Sequence, residues 1–267
     1  MSFKFLHKLS AERTDPENLG FSYFFYQHQK VYSFCKKFIR GKKVLEVGSG
    51  SGYGTKKLSK NAKSIIAIDK DKISINKSKN VYKSVNIDFI YCKVENYFSK
   101  DRFDVIISLQ VIEHLKDPKI LLEKLHHLIK EDGLFIFSTP NRLTQSYNEN
   151  PYHYKEYSSK ELSNLLSNYF REITFYGLYG DKIVTKQEKI RKEYVLSFLN
   201  RDKLKLRKFI PRKFRQFFFD IASFLSREII NRKNRNITNI SEKNFRIIKE
   251  KTTKSIDIII ICKNIKI

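Results

Sequence analysis

Tryptophan is absent from this chain, cysteine occurs only three times, and acidic residues are scarce, with 28 Asp and Glu against 53 Lys and Arg. Cys35, Cys92 and Cys262 lie far apart and form no CxxC pair, which argues against a disulfide framework or a structural zinc site and suits a reducing compartment. No apolar run reaches the length of a membrane span, and the opening MSFKFLHKLSAERTDPENLG lacks the continuous apolar stretch of an export signal. The expectation is a cytoplasmic protein whose only membrane contact would be peripheral, at the inner face.

The shortage of acid leaves a formal net charge of +25, which brings nucleic acid and anionic membranes into view as partners. Much of the excess is scattered among polar positions in a Lys-, Ile- and Asn-rich chain, as in a solvated surface shaped by an AT-biased genome. No specific nucleic-acid partner is expected. With 41% hydrophobic and 14% aromatic residues, 267 residues suffice for one large globular domain with an insertion.

Residues 22 to 40 place Phe24, Phe25, Val31, Tyr32, Cys35 and Phe38 near helical spacing, so a leading helix is expected. KKVLEVG then reads as a strand, and the alternation continues through TKKLSKNA, SIIAID, ISINKSKNVYK, NIDFIYC, FDVIIS, DPKILLEKLHHLIKED and GLFIFSTP. Unbroken apolar strands alternating with helices belong to a mostly parallel sheet covered on both faces. Asp117 and Pro118 open one helix as N-cap and N1 residues, with Gly133 expected just beyond its end. Ser158 with Glu161 forms a capping box before another.

From residue 181 the pattern turns helical and basic, until SIDIIIICKN closes the chain as an apolar strand. Residues 201 to 215 carry eight Lys or Arg against one Asp, interleaved with Leu, Phe and Ile, and Phe217, Phe218, Ile221, Phe224 and Leu225 continue an apolar stripe. Two readings stand. Residues 201–229 form a basic amphipathic element for an anionic membrane, or a helical insertion packs its apolar side on the sheet and turns its lysines to water. The expected organisation is a leading helical segment (1–40), a core (41–180), a helical basic insertion (181–254) and a closing strand (255–267).

The chemistry centres on VLEVGSGSGYGT. Glycines at alternate positions after a strand let the backbone turn sharply and present N–H groups to a ligand at the start of the next helix. Such a turn at the carboxyl end of the first strand is where nucleotides sit in doubly wound sheets. Asp69, at the end of the next strand and 19 residues after Gly50, is positioned to accept hydrogen bonds from two ribose hydroxyls. The dinucleotide fingerprint GxGxxG fails, because its third position is Tyr53 counted from Gly48 and Thr55 counted from Gly50. A nucleoside ligand without phosphate and with a cationic amino-acid tail fits better, and Glu46 would favour its positive end.

These residues resemble the class I S-adenosylmethionine-dependent methyltransferases over about residues 11 to 180. VLEVGSGSGYG is similar to their first motif, IIAIDKD to their second acidic position, and FDVIISLQVIEHLKDPKILLEKLHHLIKEDGLFIFSTPN to the stretch around their fourth and fifth strands. The EHL, DG and STPN segments and NPYHYKEYS resemble the branch holding ubiquinone-biosynthesis O-methyltransferases and methyltransferases of bacterial glycan pathways. AERTDP and the GYG of the first motif lean toward the glycan side. The resemblance implies a Rossmann-like, seven-stranded, mostly parallel α/β sheet with an antiparallel last strand, and S-adenosyl-L-methionine as cofactor.

By position, Glu46, Gly48, Ser49, Gly50 and Gly52 would surround the methionine part, Asp69 the ribose, and Lys70 would lie near the adenine. Lys93 and Val94 occupy the places of the family's acidic and small adenine-recognising residues, which leaves the Val94 backbone N–H for that contact. Leu109 and Gln110 would lie beside the transferable methyl group. The base candidates are His114, and His153 with Glu156; as bland alternatives, His114 organises a helix entry and His153 anchors a loop. Some relatives hold a divalent metal through ExxEH, but here Gln110 replaces the first carboxylate, so no metal is expected. The expected reaction methylates an oxygen, in preference to a nitrogen, of a sugar or glycan-linked intermediate, a small-molecule or glycan acceptor held in a site formed by the leading helix, residues 140 to 157 and the insertion. A quinone or lipid O-methyltransferase at a membrane, an RNA-binding protein or RNA methyltransferase, and a non-catalytic cofactor-binding scaffold are the rivals.

Overall fold

The structure is a computed structural model that describes residues 22–144, 150–199, 210–221 and 240–265. In chain order the elements are α1 (Ser22–Cys35), β1 (Lys43–Val47), α2 (Tyr53–Ser59), β2 (Ser64–Asp69), α3 (Lys72–Val81), β3 (Ile87–Tyr91), β4 (Phe103–Leu109), α4 (Pro118–Leu128) and β5 (Ile129–Pro140). There follow α5 (Ser159–Leu166), β6 (Phe170–Gly180), α6 (Lys182–Leu199), a helix over residues 212–221 here named α7, β7 (Phe245–Lys249) and β8 (Asp257–Ile265).

The strands form a single sheet in the order β3-β2-β1-β4-β5-β8-β6-β7. From β3 to β5 all neighbours are parallel, and β8 enters antiparallel between β5 and β6. Alternate side chains serve opposite faces. Leu45, Ile106, Phe135, Phe137 and Ile260 pack with Leu122, Leu125 and Leu162 on one side. Val44, Ile65, Val105, Ile107 and Ile259 pack with Tyr32, Cys35 and Leu58 on the other. Both faces are therefore apolar, which is why these strands read as unbroken hydrophobic runs, each fully buried side chain contributing about 1.5–3 kcal/mol. The expected caps are present: Asp117 accepts from Lys119 N–H with Pro118 in the first turn, and Ser158 and Glu161 form the reciprocal capping box.

The sheet has eight strands where seven were expected. The extra one, β7, comes from inside the region read as a helical insertion and pairs antiparallel with β6. Both β7 and β8 flank β6, so the chain between them crosses over that strand at Gly177. A Cβ there would stand 2.0 Å from the Lys251 carbonyl oxygen. Gly133 is also not the helix terminator expected: α4 stops at Leu128, and Gly133 lies in a bulge of β5, where Phe103 pairs with Ile129 but Val105 with Leu134. All three cysteines are free.

Of the basic stretch 201–229, residues 201–209 and 222–229, with Phe224 and Leu225, lie outside the described residues, as do AERTDP and the rest of 1–21. Within α7, Phe214, Phe217 and Phe218 are exposed, while Phe219 and Ile221 are half-buried, Phe219 against the Tyr152 ring. Among the described residues no helix is long and apolar enough to cross a membrane.

Candidate active site

The site lies at the carboxyl edge of the parallel strands. After β1 the backbone turns with Gly48, Gly50 and Gly52 at φ of 80°, 53° and 77°, the left-handed region that favours glycine. Gly52 is the N-cap of α2. The loop is tied to β2, because Ile68 O accepts from Gly48 N and Ser49 N, at 2.9 and 3.2 Å. Asp69 braces it as well: Oδ2 accepts from Gly50 N at 2.8 Å and Oδ1 from Asp71 N at 2.8 Å. Each carboxylate oxygen has a second lone pair, so both retain capacity for a hydroxyl donor.

Glu46, on β1 beneath the loop, is buried. Its Oε1 accepts from the Tyr32 hydroxyl at 2.8 Å, while Oε2 and the Thr55 hydroxyl, both buried, have no partner of normal hydrogen-bond geometry. Burial raises its pKa to about 7, the Thr55 and Tyr32 hydroxyls pull it down, and the Asp69 charge adds to the rise. The Ser49 hydroxyl is likewise buried without a partner. Nothing stands within 4 Å of a Cβ built on Gly50, so that side of the loop is open. An orphaned carboxylate oxygen, an orphaned hydroxyl and an open glycine turn suit a ligand with a cationic, hydrogen-bonding end, as S-adenosylmethionine has.

The leading helix, α1, closes over this loop. Tyr32 packs where a Cβ on Gly54 would collide with it at 1.9 Å, which explains the last glycine of GSGSGYG. His28 Nδ1 lies 2.9 Å from the Tyr53 hydroxyl. Lys57, from α2, bridges Gln29 of α1 and Glu242. Lys70 is exposed after β2, and Val94 is buried in a short turn of helix after β3. Leu109 ends β4, and Gln110 follows at φ 55° with its N–H bonded to Ser138 O at 2.8 Å.

Two segments separate in sequence meet beside this edge. Thr139 donates to Glu113 Oε2 at 3.1 Å, and Glu113 O accepts from Tyr154 N at 2.8 Å. The rings of His114 and His153 stand edge to face at 4.9 Å. His114 Nδ1 faces the Tyr152 carbonyl at 3.2 Å; a carbonyl only accepts, so Nδ1 carries the proton and Nε2 the lone pair in the neutral ring. His153 Nδ1 lies 3.0 Å from Glu156 Oε1, and its Nε2 lies 3.0 Å from the Asn150 amide nitrogen. Glu113, His114 and His153 also offer one ligand atom each within 4.8 Å of one another, a set with one carboxylate.

Sequence reasoning missed a third group. Asp257, at the start of β8 between Pro140 and Leu178, is buried and accepts from the Gln27 amide of α1 at 2.7 Å. Burial raises its pKa to about 7; Gln27 lowers it, Glu188 raises it and Gln110 lowers it. The only signal in the sequence is an acid at the head of an otherwise apolar strand.

Residues 22–172 match the methyltransferase domain family. Over 162 residues the chain is 33% identical to a probable S-adenosylmethionine-dependent methyltransferase of Mycolicibacterium smegmatis, covering 59% of this chain and 63% of that protein. It is 28% identical over 154 residues to a ubiquinone biosynthesis O-methyltransferase of Actinobacillus pleuropneumoniae, covering 55% and 59%. The matches thus span less than two thirds of these relatives. Among solved structures, a S-adenosylmethionine-dependent methyltransferase from Thermotoga maritima superposes with a TM-score of 0.56 over 90% of this chain and 92% of that one, at 14% identity. The N-methyltransferase NodS of Bradyrhizobium japonicum, in complex with S-adenosylhomocysteine, gives 0.51 over 65% and 89%, at 17% identity. At such identities the likeness is one of fold. With more than half of its length inside the family match and the glycine turn and acids in place, this chain belongs to the class I S-adenosylmethionine-dependent methyltransferases.

Proposed function

We propose that this protein transfers a methyl group from S-adenosylmethionine to an oxygen of a sugar or glycan-linked acceptor. The observation that carries the methyl-transfer reading is Glu46, whose buried, partnerless Oε2 lies beneath an open glycine turn. Glu46, Gly48, Ser49, Gly50 and Gly52 hold the methionine end, Asp69 the ribose, Lys70 and the Val94 backbone lie toward the adenine, and Leu109 and Gln110 flank the methyl group. When bound, the cofactor supplies an already activated electrophilic carbon, so the protein's task is mainly alignment and exclusion of water, worth about 7–11 kcal/mol of barrier.

An acceptor hydroxyl must lose its proton as it attacks. His114 Nε2 carries the lone pair that takes it, with Nδ1 anchored on Tyr152 O. His153, oriented by Glu156, stacks edge-on against His114 and stabilises the imidazolium through the nearby carboxylate. The polar lining by two histidines and Glu156 supports a hydroxyl acceptor, and the resemblance to glycan-pathway methyltransferases supports a sugar. A quinone or lipid acceptor is the second reading, favoured by the exposed phenylalanines of α7 and by relatives named for ubiquinone biosynthesis.

Calorimetric titration with S-adenosylmethionine and S-adenosylhomocysteine, with NADH as control, tests the cofactor. Saturable binding of the first two alone supports the reading and opens an acceptor screen among nucleotide sugars and glycans. Binding of NADH but neither of the others overturns it.

A further inference from the structure

Helix α7 has two faces with different work. At about 100° per residue, Arg212, Gln216 and Asp220 cluster on one side, and Phe214, Phe217 and Phe218 centre roughly 150° away around the axis. The first set grips the loop that carries His153. Arg212 donates from Nε to Pro151 O at 2.8 Å and from Nη2 to Tyr152 O at 2.9 Å, and its guanidinium lies 3.6 Å from the centre of the Tyr154 ring. Gln216 donates to Pro151 O at 3.2 Å, and the Tyr152 hydroxyl donates to Asp220 Oδ2 at 2.5 Å. The Tyr152 carbonyl is thereby shared between Arg212 and His114.

The second set faces solvent: Phe214 is 59% exposed, Phe218 52% and Phe217 38%. Three exposed phenylalanines within five residues are not a solvated surface. Lys213 is exposed beside them, and the nine residues leading into residue 210 contain five Lys or Arg against one Asp. Aromatic side chains backed by lysine and arginine match a negatively charged bilayer, where the rings enter the acyl boundary and the cations meet the headgroups.

We propose that α7 docks on an anionic lipid surface through Phe214, Phe217, Phe218 and Lys213, and that this docking holds the His114–His153 side of the site in place through Arg212. The second half rests on the reading of that pocket as the acceptor side; the docking itself does not. A fixed helix fixes Arg212, and Arg212 fixes the carbonyl on which the His114 tautomer depends.

The test uses the full chain with vesicles of phosphatidylcholine alone and of phosphatidylcholine with phosphatidylglycerol, at low and at raised salt. The expected result is co-sedimentation with the anionic vesicles only, weakened by salt, and reduced about tenfold or more in a F214S/F217S/F218S variant that keeps the wild-type circular dichroism. Hydrogen exchange over residues 150–157 should slow on the anionic vesicles, and in Arg212→Ala vesicle binding should persist while that slowing is lost. Equal binding to neutral vesicles, binding indifferent to the triple substitution, or salt-sensitive binding to RNA with none to vesicles overturns the docking. Docking without any change in the 150–157 exchange overturns the coupling alone. S-adenosylmethionine titration of the same preparation keeps the two readings apart, since neither result in it alters the vesicle outcome.

Discussion

The hydroxyl of Tyr32 donates to Oε1 of Glu46 at 2.8 Å, across 14 residues of sequence and from a different layer of the fold. The leading helix is thus bonded to the acid beneath the glycine turn, and the other carboxylate oxygen is the one proposed to face the cofactor. Tyr32→Phe keeps the ring against Gly54 but removes the donor, so Glu46 loses a bond that favours its charge. Affinity for S-adenosylmethionine should fall by about tenfold, because Glu46 then holds its proton more tightly, and stability should fall by about 1–3 kcal/mol as the buried carboxylate oxygen loses its donor. Calorimetry checks this, and unchanged affinity would remove Glu46 from the cofactor site.

The position of Glu46 near pH 7 has a second consequence. Its ionised form attracts the cationic sulfonium and ammonium of S-adenosylmethionine, so affinity should rise as pH increases from about 6 to 8, with proton release on binding below pH 7. S-Adenosylhomocysteine lacks the sulfonium charge and should show a shallower rise. Titrations in buffers of different ionisation enthalpy report the released protons; equal pH slopes for the two ligands contradict the assignment.

Asp69 holds the loop and, by proposal, the ribose. Asp69→Ala removes the acceptor for Gly50 N and Asp71 N and leaves the ribose hydroxyls unpaired. Cofactor affinity should drop by about tenfold or more. Asp69→Asn, which keeps one acceptor oxygen, should lose less, and the order of the two variants is the measurement that matters.

Asp257 predicts a pH-dependent stability. Its folded pKa, about 7, lies above the ordinary 3.8, so its contribution is complete at low pH and is lost as pH rises between those values. The loss is at most about 4 kcal/mol, three units at 1.36 kcal/mol each. Asp257→Asn keeps an acceptor for Gln27 but never ionises, so its melting temperature relative to wild type should climb from pH 5 to pH 8. Glu46 acts in the same direction in both proteins and cancels. A constant difference across that range would falsify the buried-acid account.

Gly177→Ala places a methyl group 2.0 Å from the Lys251 carbonyl, where the β7–β8 connection crosses β6. Backbone cannot swing aside as a side chain does, so the variant should lose about 1–3 kcal/mol or more and melt several degrees lower. Thermal denaturation decides, and a wild-type melting temperature would mean that the crossing is looser than described.

Local signals made most of the sheet legible in advance. Val44 and Leu45, Ile65 to Ile68 and Val105 to Ile107 are apolar on both sides because both faces are covered, and Asp117, Pro118, Ser158 and Glu161 mark helix starts through bonds that span three residues at most. The glycine turn and Asp69 were legible for the same reason: a left-handed backbone needs glycine where it occurs, and a strand end is a local place. Gly133 misled because a glycine after an amphipathic helix also suits a strand bulge. Strand β7, five residues of mixed FRIIK, is too short to announce itself and exists because β6 offers an edge to pair with. Only the folded chain brings Gln27 to Asp257 across 230 positions, His114 to His153 across two loops, and Arg212 to the Tyr152 carbonyl. Such contacts follow from loop closure and packing between distant segments, and no periodicity within either partner records them.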